Sequence, residues 1–302
     1  MTEKAVSGYA PVIRHRRKRY TAGYIVIMIL LTLLALMIAI PFYQAIMISF
    51  ETGAAFNRNP LSLYPLEFTL DNYSYLVNNG GLMSGYYSTV FITVIGTVIG
   101  MTASVMGAYV FSQRNMPGRK VLFMLMLFTM FFDGGIVPTY LVMKKYGMIG
   151  SYAGVILLHS VSAFNMIIMK NGFEATPPEI QEAAWMDGAN DLTIFFRVML
   201  PLQLPLLATF TLFTAVGYWN EWFWSLLTLT SSGMQTLQLY LRSVVNAASD
   251  VTDMSTGMST EATFSQGIKM AAVLLTIGPI MIVYPFLQKY FTKGIMVGAV
   301  KM

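Results

Sequence analysis

EAAWMDGANDLTIFFRVMLPL, residues 182–202, is the stretch on which the reading of the fold turns. It places Glu182, Asp187, Asp191 and Arg197 among alanine, glycine and apolar residues, in a chain that otherwise avoids charge. On either side lies an apolar run long enough to cross a bilayer, which needs about 20 residues in a helix. A polar helical passage in that position predicts a loop between two membrane spans.

Composition points the same way. Hydrophobic residues make up 56% of the chain and charged residues 11%, with a mean hydropathy of +0.60, against about 25% charged in a soluble domain. The formal net charge is +5. Five of the basic residues sit in RHRRKR, residues 14–19, so the excess reports membrane orientation and implies no nucleic acid partner. The absence of cysteine excludes disulfides and thiolate chemistry. With only His15 and His159 as imidazoles, no metal site is expected.

Six segments are long and apolar enough to span, near residues 22–48, 86–112, 121–143, 148–169, 202–229 and 268–288. They predict an all-α integral membrane protein with six transmembrane helices. The first follows a basic region, as a signal peptide would. Its charge-free run from Tyr20 to Phe50 is about twice the length of a signal core and lacks a small-residue cleavage pattern, so a permanent span is predicted.

Short loops set the orientation. The basic residues of the N-terminal tail, of QRNMPGRK (113–120) and of the C-terminus (Lys289, Lys293, Lys301) belong on the cytoplasmic side. The opposite loops hold Glu51, Glu67, Asp71, Asp250, Asp253 and Glu261 against Arg58 and Arg242. Both termini are therefore expected in the cytoplasm. Lys144 and Lys145 break the rule, at a span end where long basic side chains snorkel. The expected organisation is a basic tail over 1–21, a six-span domain over 22–288 with a cytoplasmic loop at 171–200, and a C-terminal tail over 289–302.

Within that loop the local chemistry writes a helix with marked ends: Thr176 as N-cap, Pro177 at the first helical position, Glu179 completing a capping box and Gly188 able to stop it. A second short helix is predicted from Asp191. Ala184 and Gly188 are four apart, so on a continuing helix they share a face that a partner can approach closely. An amphipathic connector lying on the bilayer accounts for the same residues on chemistry alone.

The order E-A-A, three residues, G, nine residues, an aliphatic residue, one more, then L-P resembles the cytoplasmic loop signature of permease subunits of binding-protein-dependent ATP-binding-cassette importers. Here Glu182, Ala183, Ala184, Gly188, Val198, Leu200 and Pro201 occupy those places, with Val198 standing where isoleucine is usual. The resemblance runs from the first span to KGIMVGAVKM at the end. GGIVPTYLVMKKYGMIGS (134–151) and GYWNEWFWSLL (217–227) are similar to the carbohydrate-importing branch related to the maltose system, and most of all to its subgroup for oligosaccharides derived from polysaccharides.

This resemblance implies a type I importer permease. The loop would form a coupling helix that docks in a cleft of a cytoplasmic ATPase dimer, with Glu182, Ala183, Ala184, Asp187, Gly188, Leu200 and Pro201 as the coupling residues. It also implies a second, homologous permease, an extracytoplasmic solute-binding protein and a sugar substrate, with ATP and Mg bound by the ATPase. The outer loops, including the polar segment Ser231–Gln266 and its short helix QTLQLYLRSVV (235–245), are expected to meet the binding protein.

The chain supplies no energy of its own. No G-x-x-x-x-G-K-[ST] run, no H-E-x-x-H and no cysteine nucleophile is present, so it is not expected to be an enzyme and has no catalytic residues to assign. Of the ionisable groups in or near the spans, Asp133 reads as a helix-end carboxylate or a pathway residue, and His159 as a hydrogen-bonded core residue or a pathway lining. WNEWFW (219–224) has two readings. Trp219, Asn220, Glu221 and Trp222 suit sugar recognition by aromatic faces with amide and carboxylate hydrogen bonds, or an interfacial aromatic belt with Glu221 in water. In the maltose relative the visible sugar contacts belong to the other permease subunit.

The twenty-four methionines are expected as packing, RHRRKR as a contact to anionic lipid, Asn72-Tyr73-Ser74 as a sequon of little weight, and Pro201 with Pro205 as a kink. The alternatives are an importer permease for a peptide or phosphate ester, or an ion-coupled secondary transporter using Asp133, His159 or Glu221.

Overall fold

The computed structural model describes residues 22–60, 62–78, 81–231, 233–254 and 265–299. The tail over 1–21 with RHRRKR, as well as Glu261 and Lys301, lies outside the described residues. Two units divide the chain at Gln44 and Ala45. The first is the helix α1 (Ala22–Ser49) up to Gln44, apolar on every side, with a mean hydropathy of 3.0 over Gly23–Ser49. A helix with no polar face is built for lipid.

In the second unit the helices are α2 (Gly53–Arg58), α3 (Asp71–Asn78), α4 (Gly81–Ser112), α5 (Arg119–Phe131), α6 (Ile136–Lys145), α7 (Tyr152–Leu158), α8 (Ala163–Glu174), α9 (Pro178–Met186) and α10 (Asp191–Ile194). A π turn, Phe195–Met199, leads to α11 (Leu200–Leu202), and α12 (Leu204–Trp219), α13 (Phe223–Thr228), α14 (Leu237–Met254) and α15 (Ser265–Ala299) follow. Among the described residues the one β feature is an isolated bridge between Glu51 and Phe68.

Three predicted spans, the first, second and sixth, are unbroken in α1, α4 and α15. The other three are bent pairs: α5 with α6 at 118°, α7 with α8 at 49°, and Asp191–Leu202 with α12 at 81°. Each bend has a local cause. Between α5 and α6, Gly135 takes a φ of +84° and its N–H donates to Asp133 Oδ1 at 3.0 Å, a turn that glycine enters without Cβ strain. Between α7 and α8, Ser162 caps α8 by accepting from Asn165 N at 3.3 Å. The fifth predicted span, 202–229, ends as a continuous helix at Trp219. Asn220–Trp222 break it before α13, so WNEWFW sits at a helix terminus and not inside a span.

α4 is the central packing element, against α12, α8, α7, α14 and α3. Beside Leu82, Ile92 and Val105, most of its buried positions are small, among them Gly85, Ser88, Gly96, Gly100, Ser104 and Ala108. Small residues let backbones approach where lipid provides no hydrophobic drive. At Gly96 a Cβ would lie 2.6 Å from the Tyr218 ring, whose hydroxyl donates to Ile156 O at 2.7 Å. One core cluster lies toward α9 (Val105, Ala108, Met166, Met169, Phe173, Phe195, Met199). Another lies at the far end of α12 (Leu76, Leu82, Trp219, Leu237, Tyr240).

The segment before α4 is polar and tied. Glu51, 1% exposed, accepts from Leu66 N at 3.2 Å, and Asn72 Nδ2 donates to Ser49 O and Glu51 O at 3.0 and 3.1 Å. Asn72 is thus committed inside the protein.

At Gly100 an added Cβ would lie 2.8 Å from the Ser160 carbonyl oxygen, a backbone atom, whereas at Gly217 it would meet nothing within 4 Å. Gly100→Ala is expected to destabilise the folded chain in detergent by about 1–3 kcal/mol. Thermal unfolding followed by circular dichroism checks this, with Gly217→Ala as the control; equal midpoints for the two variants would remove the close-approach argument.

Candidate functional site

The 182–202 stretch forms an exposed, tightly terminated cassette. α9 begins one residue later than the capping pattern predicts. Pro177 takes the cap position with a φ of −55° and a ψ of 132°, Pro178 starts the helix, and no side chain caps it. The Thr176 hydroxyl is used elsewhere: it accepts from Gln203 Nε2 at 3.1 Å, and the same nitrogen lies 2.9 Å from Gly172 O. α8 continues to Glu174, so residues 171–174 are helical and the connecting segment begins at Ala175.

α9 stops where the sequence places the stop. Gly188 takes a φ of +80°, its N–H donates to Trp185 O at 2.9 Å, and Ala189 N donates to Ala184 O at 3.0 Å, the paired bonds of a Schellman ending. Gly188 therefore lies past the last turn and does not extend the Ala184 face. Asn190 caps α10 by accepting from Thr193 N at 2.8 Å, and Trp185 Nε1 donates to Asp191 Oδ1 at 3.1 Å, which fixes the angle between α9 and α10.

The seven signature positions divide by direction. Ala184, Val198 and Leu200 pack against the core cluster, while Glu182, Ala183, Gly188 and Pro201, with Asp187 beside them, are exposed. Two large apolar side chains join the outer group, Trp185 at 48% and Met186 at 88% exposure. The π turn follows from Pro201. Proline has no N–H for the Arg197 carbonyl and its ring crowds that oxygen, and the preceding turn widens so that Leu200 N bonds to Phe195 O.

Past α11 the chain bends at Gln203, whose amide ties the bend to the end of α8. A Cβ on Gly172 would press on the ends of the Leu206 and Gln203 side chains, so an alanine there would displace the Gln203 amide. Neither Gln203 nor Gly172 stands out in the sequence. Their only signal is a lone amide at a predicted span entrance and a glycine at a predicted span exit.

About 24 Å away, at 1.5 Å per residue along the sixteen residues of α12, the WNEWFW residues separate. Trp219 is buried in the core cluster with α14 and α15. Its indole nitrogen has no acceptor among the described residues. Asn220 is exposed, and its Oδ1 accepts from Gln238 Nε2 at 3.3 Å. The Trp222 ring lies under the Arg242 guanidinium at 4.0 Å from its centroid, a cation–π contact.

Glu221 is not a carboxylate in water. Its side chain is 11% exposed, Oε1 accepts from Trp224 N at 2.6 Å at the start of α13, and Oε2 lies 3.2 Å from His159 Nε2. His159 Nδ1 lies 3.2 Å from Val155 O, so both ring nitrogens face oxygen acceptors. The structure thus joins His159 to Glu221, across the α7 and α12 ends, and leaves Asp133 in its own turn with Gly135. No group of histidine and acidic residues that could hold a metal ion occurs among the described residues.

Residues 81–297 match the family model for the binding-protein-dependent transport system inner membrane component. The polygalacturonan/rhamnogalacturonan transport system permease protein YtcP of Bacillus subtilis (strain 168) is 41% identical, over 90% of this chain and 95% of its own length. The arabinooligosaccharides transport system permease protein AraQ of Halalkalibacterium halodurans is 29% identical, over 89% and 93%. Among solved structures, a chain of a bacterial ABC transporter involved in the import of the acidic polysaccharide alginate aligns with a TM-score of 0.81 at 32% identity, covering 90% of this chain and 99% of that one.

The His159–Glu221 pair is testable without a ligand. With His159 at 38% exposure, solvent screening limits the coupling energy to about 0.5–1 kcal/mol in a double-mutant cycle of His159→Ala and Glu221→Ala measured by thermal unfolding. Glu221→Gln keeps an acceptor for Trp224 N and is expected to lose less than Glu221→Ala. Strict additivity of the two alanine variants would dissolve the pair.

Proposed function

This chain belongs to the family of binding-protein-dependent transport system inner membrane components, and we propose that within such a system it pairs with a homologous permease to form the alternating-access pathway for an oligosaccharide. ATP and Mg are held by a separate cytoplasmic ATPase dimer, and an extracytoplasmic solute-binding protein delivers the sugar. Both termini and the 182–202 cassette face the cytoplasm. The sugar class rests on the transport roles named for the relatives.

The observation that carries the coupling role is the form of α9. It is short and exposed, ends in a left-handed glycine and is pinned at both flanks. Glu182, Ala183, Asp187 and Gly188 face outward, with Trp185 and Met186 beside them as apolar contact area. Small residues permit close approach and the carboxylates suit a basic partner. Ala184 and Leu200 act from the inner side, holding the cassette on the core. Pro201 sets the widened turn.

Force applied to α9 passes along two routes. The Trp185–Asp191 bond carries it into α10 and the π turn, and the Gln203 amide carries it into the end of α8. α8 and α12 then move as one body, and α12 delivers that motion to the Glu221–His159 joint at its other end. Alternating access needs such rigid transmission, because packed elements switch between discrete arrangements and do not deform continuously. Asn220, Glu221 and Trp222 surround that outer joint, where the sugar enters. Trp219 supports them from within the core.

Two variants test the reading. Gly188→Asp puts a charged side chain outside α9, where nothing lies within 4 Å, on a backbone whose φ of +80° strains any side chain and aspartate less than most. It is expected to insert normally, yet to lose association with the ATPase in affinity copurification; unchanged association and sugar uptake would end the docking assignment. Gln203→Ala leaves α9 itself intact and is expected to lower uptake per ATP hydrolysed in reconstituted vesicles by about fivefold or more, given the loss of two hydrogen bonds worth about 0.5–1.5 kcal/mol each. An unchanged ratio would place the transmission elsewhere.

A further inference from the structure

A second feature lies at the α9 end of the bundle, beside the turn between α4 and α5. The turn between α4 and α5 and the side of α8 form an open pocket of about 550 Å³ lined by Arg114, Gly118, Arg119, Lys120, Phe123 and Lys170. Lys170 is 8% exposed, with Nζ 5.1 Å from the centre of the Phe123 ring and 2.7 Å from Glu174 Oε2. Arg119 pairs with the other Glu174 oxygen and donates from Nε to Phe111 O at 2.7 Å. Gly118, with a φ of +73°, turns the chain tightly enough to set Arg119 and Lys120 at the start of α5.

One carboxylate thus serves two cations. Arg114 and Lys120 have no ion-pair partner among the described residues, and they stand exposed at the mouth. A pocket with four cations and one carboxylate is complementary to an anion, and paired cations favour a phosphate. The surroundings choose the kind of phosphate. Met116 and Val121 complete the lining, and beyond them Val121, Met124, Leu125 and Phe128 expose 54–65% of their surface along α5. An amphiphile can seat its headgroup among the cations and lay its acyl chains on that apolar face, whereas a free ion gains nothing from it.

We propose that this pocket binds the phosphate headgroup of an anionic phospholipid, with Arg114 and Lys120 contacting the phosphate and the Glu174-held Arg119 and Lys170 forming the floor. The bound lipid offsets part of the charge of the exposed cations and anchors the α4–α5 turn at the membrane surface. Lipid retention is read without transport, so this assignment and the importer reading fail separately.

The test is native mass spectrometry of the full-length chain, released from nanodiscs of mixed phosphatidylglycerol and phosphatidylcholine. The wild type is expected to retain phosphatidylglycerol in preference to phosphatidylcholine, and R114Q/K120Q to lose that preference by about tenfold or more. Lys120→Gln alone, at an exposed position, is expected to lose a smaller share and serves if the double variant fails to fold. Millimolar inorganic phosphate is expected not to displace the lipid. Equal retention of the two lipids by the wild type, unchanged preference in both variants, or full displacement by inorganic phosphate would each overturn the lipid assignment.

Discussion

A helix broken inside a membrane must find partners for its own backbone. Where the chain bends, N–H and C=O groups lose their helical partners, and each one left bare away from water costs several kcal/mol. The bends of this protein are possible because particular side chains stand at them: Asp133 at Gly135 N, Ser162 at Asn165 N, Gln203 at Gly172 O, and Glu221 at Trp224 N.

Two of those breaks lie at opposite ends of α12, and this gives the helix its mechanical meaning. At one end Gln203 joins it to α8; at the other Glu221 joins its terminus to α7 through His159. Between them α4 supplies a bed of small residues on which α12 and α8 rest. Polar joints with apolar packing between them suit a body that must shift as a unit, since the packed faces keep their shape while the joints hold its ends.

The extent to which the sequence reveals this varies with the kind of feature. α1, α4 and α15 are legible as unbroken apolar runs, and the cassette is legible because proline, glycine and acidic residues mark its ends. The bent pairs are not, because a helix that is apolar all round has no period to interrupt; the only signs are Gly134 and Gly135 at one bend and Pro205 near another. The start of α9 is misread by one residue because Thr176 has two uses, and the tertiary one to Gln203 wins over the cap. The fate of Glu221 is invisible locally, since its partner lies sixty-two positions away on another helix. Ala184 and Gly188 look alike in a helical projection and differ only because the left-handed glycine ends the helix between them.

The π turn at Phe195–Met199 adds one consequence of angular phase. Each residue of an α-helix advances the chain by about 100° around its axis, and a widened turn accommodates one residue more than an α turn without lengthening the helix to match. The widened turn therefore absorbs a single residue of slack next to Pro201 and leaves its flanks close to the phase an unbroken helix would give them. Removing that residue would let ordinary α-helical bonding resume with little rotation, whereas adding one outside the widened turn would rotate the segment before it by about 100°. The phase of the segment leading to α9 thus depends on a count of residues and on Pro201, which holds open the turn that absorbs the odd one.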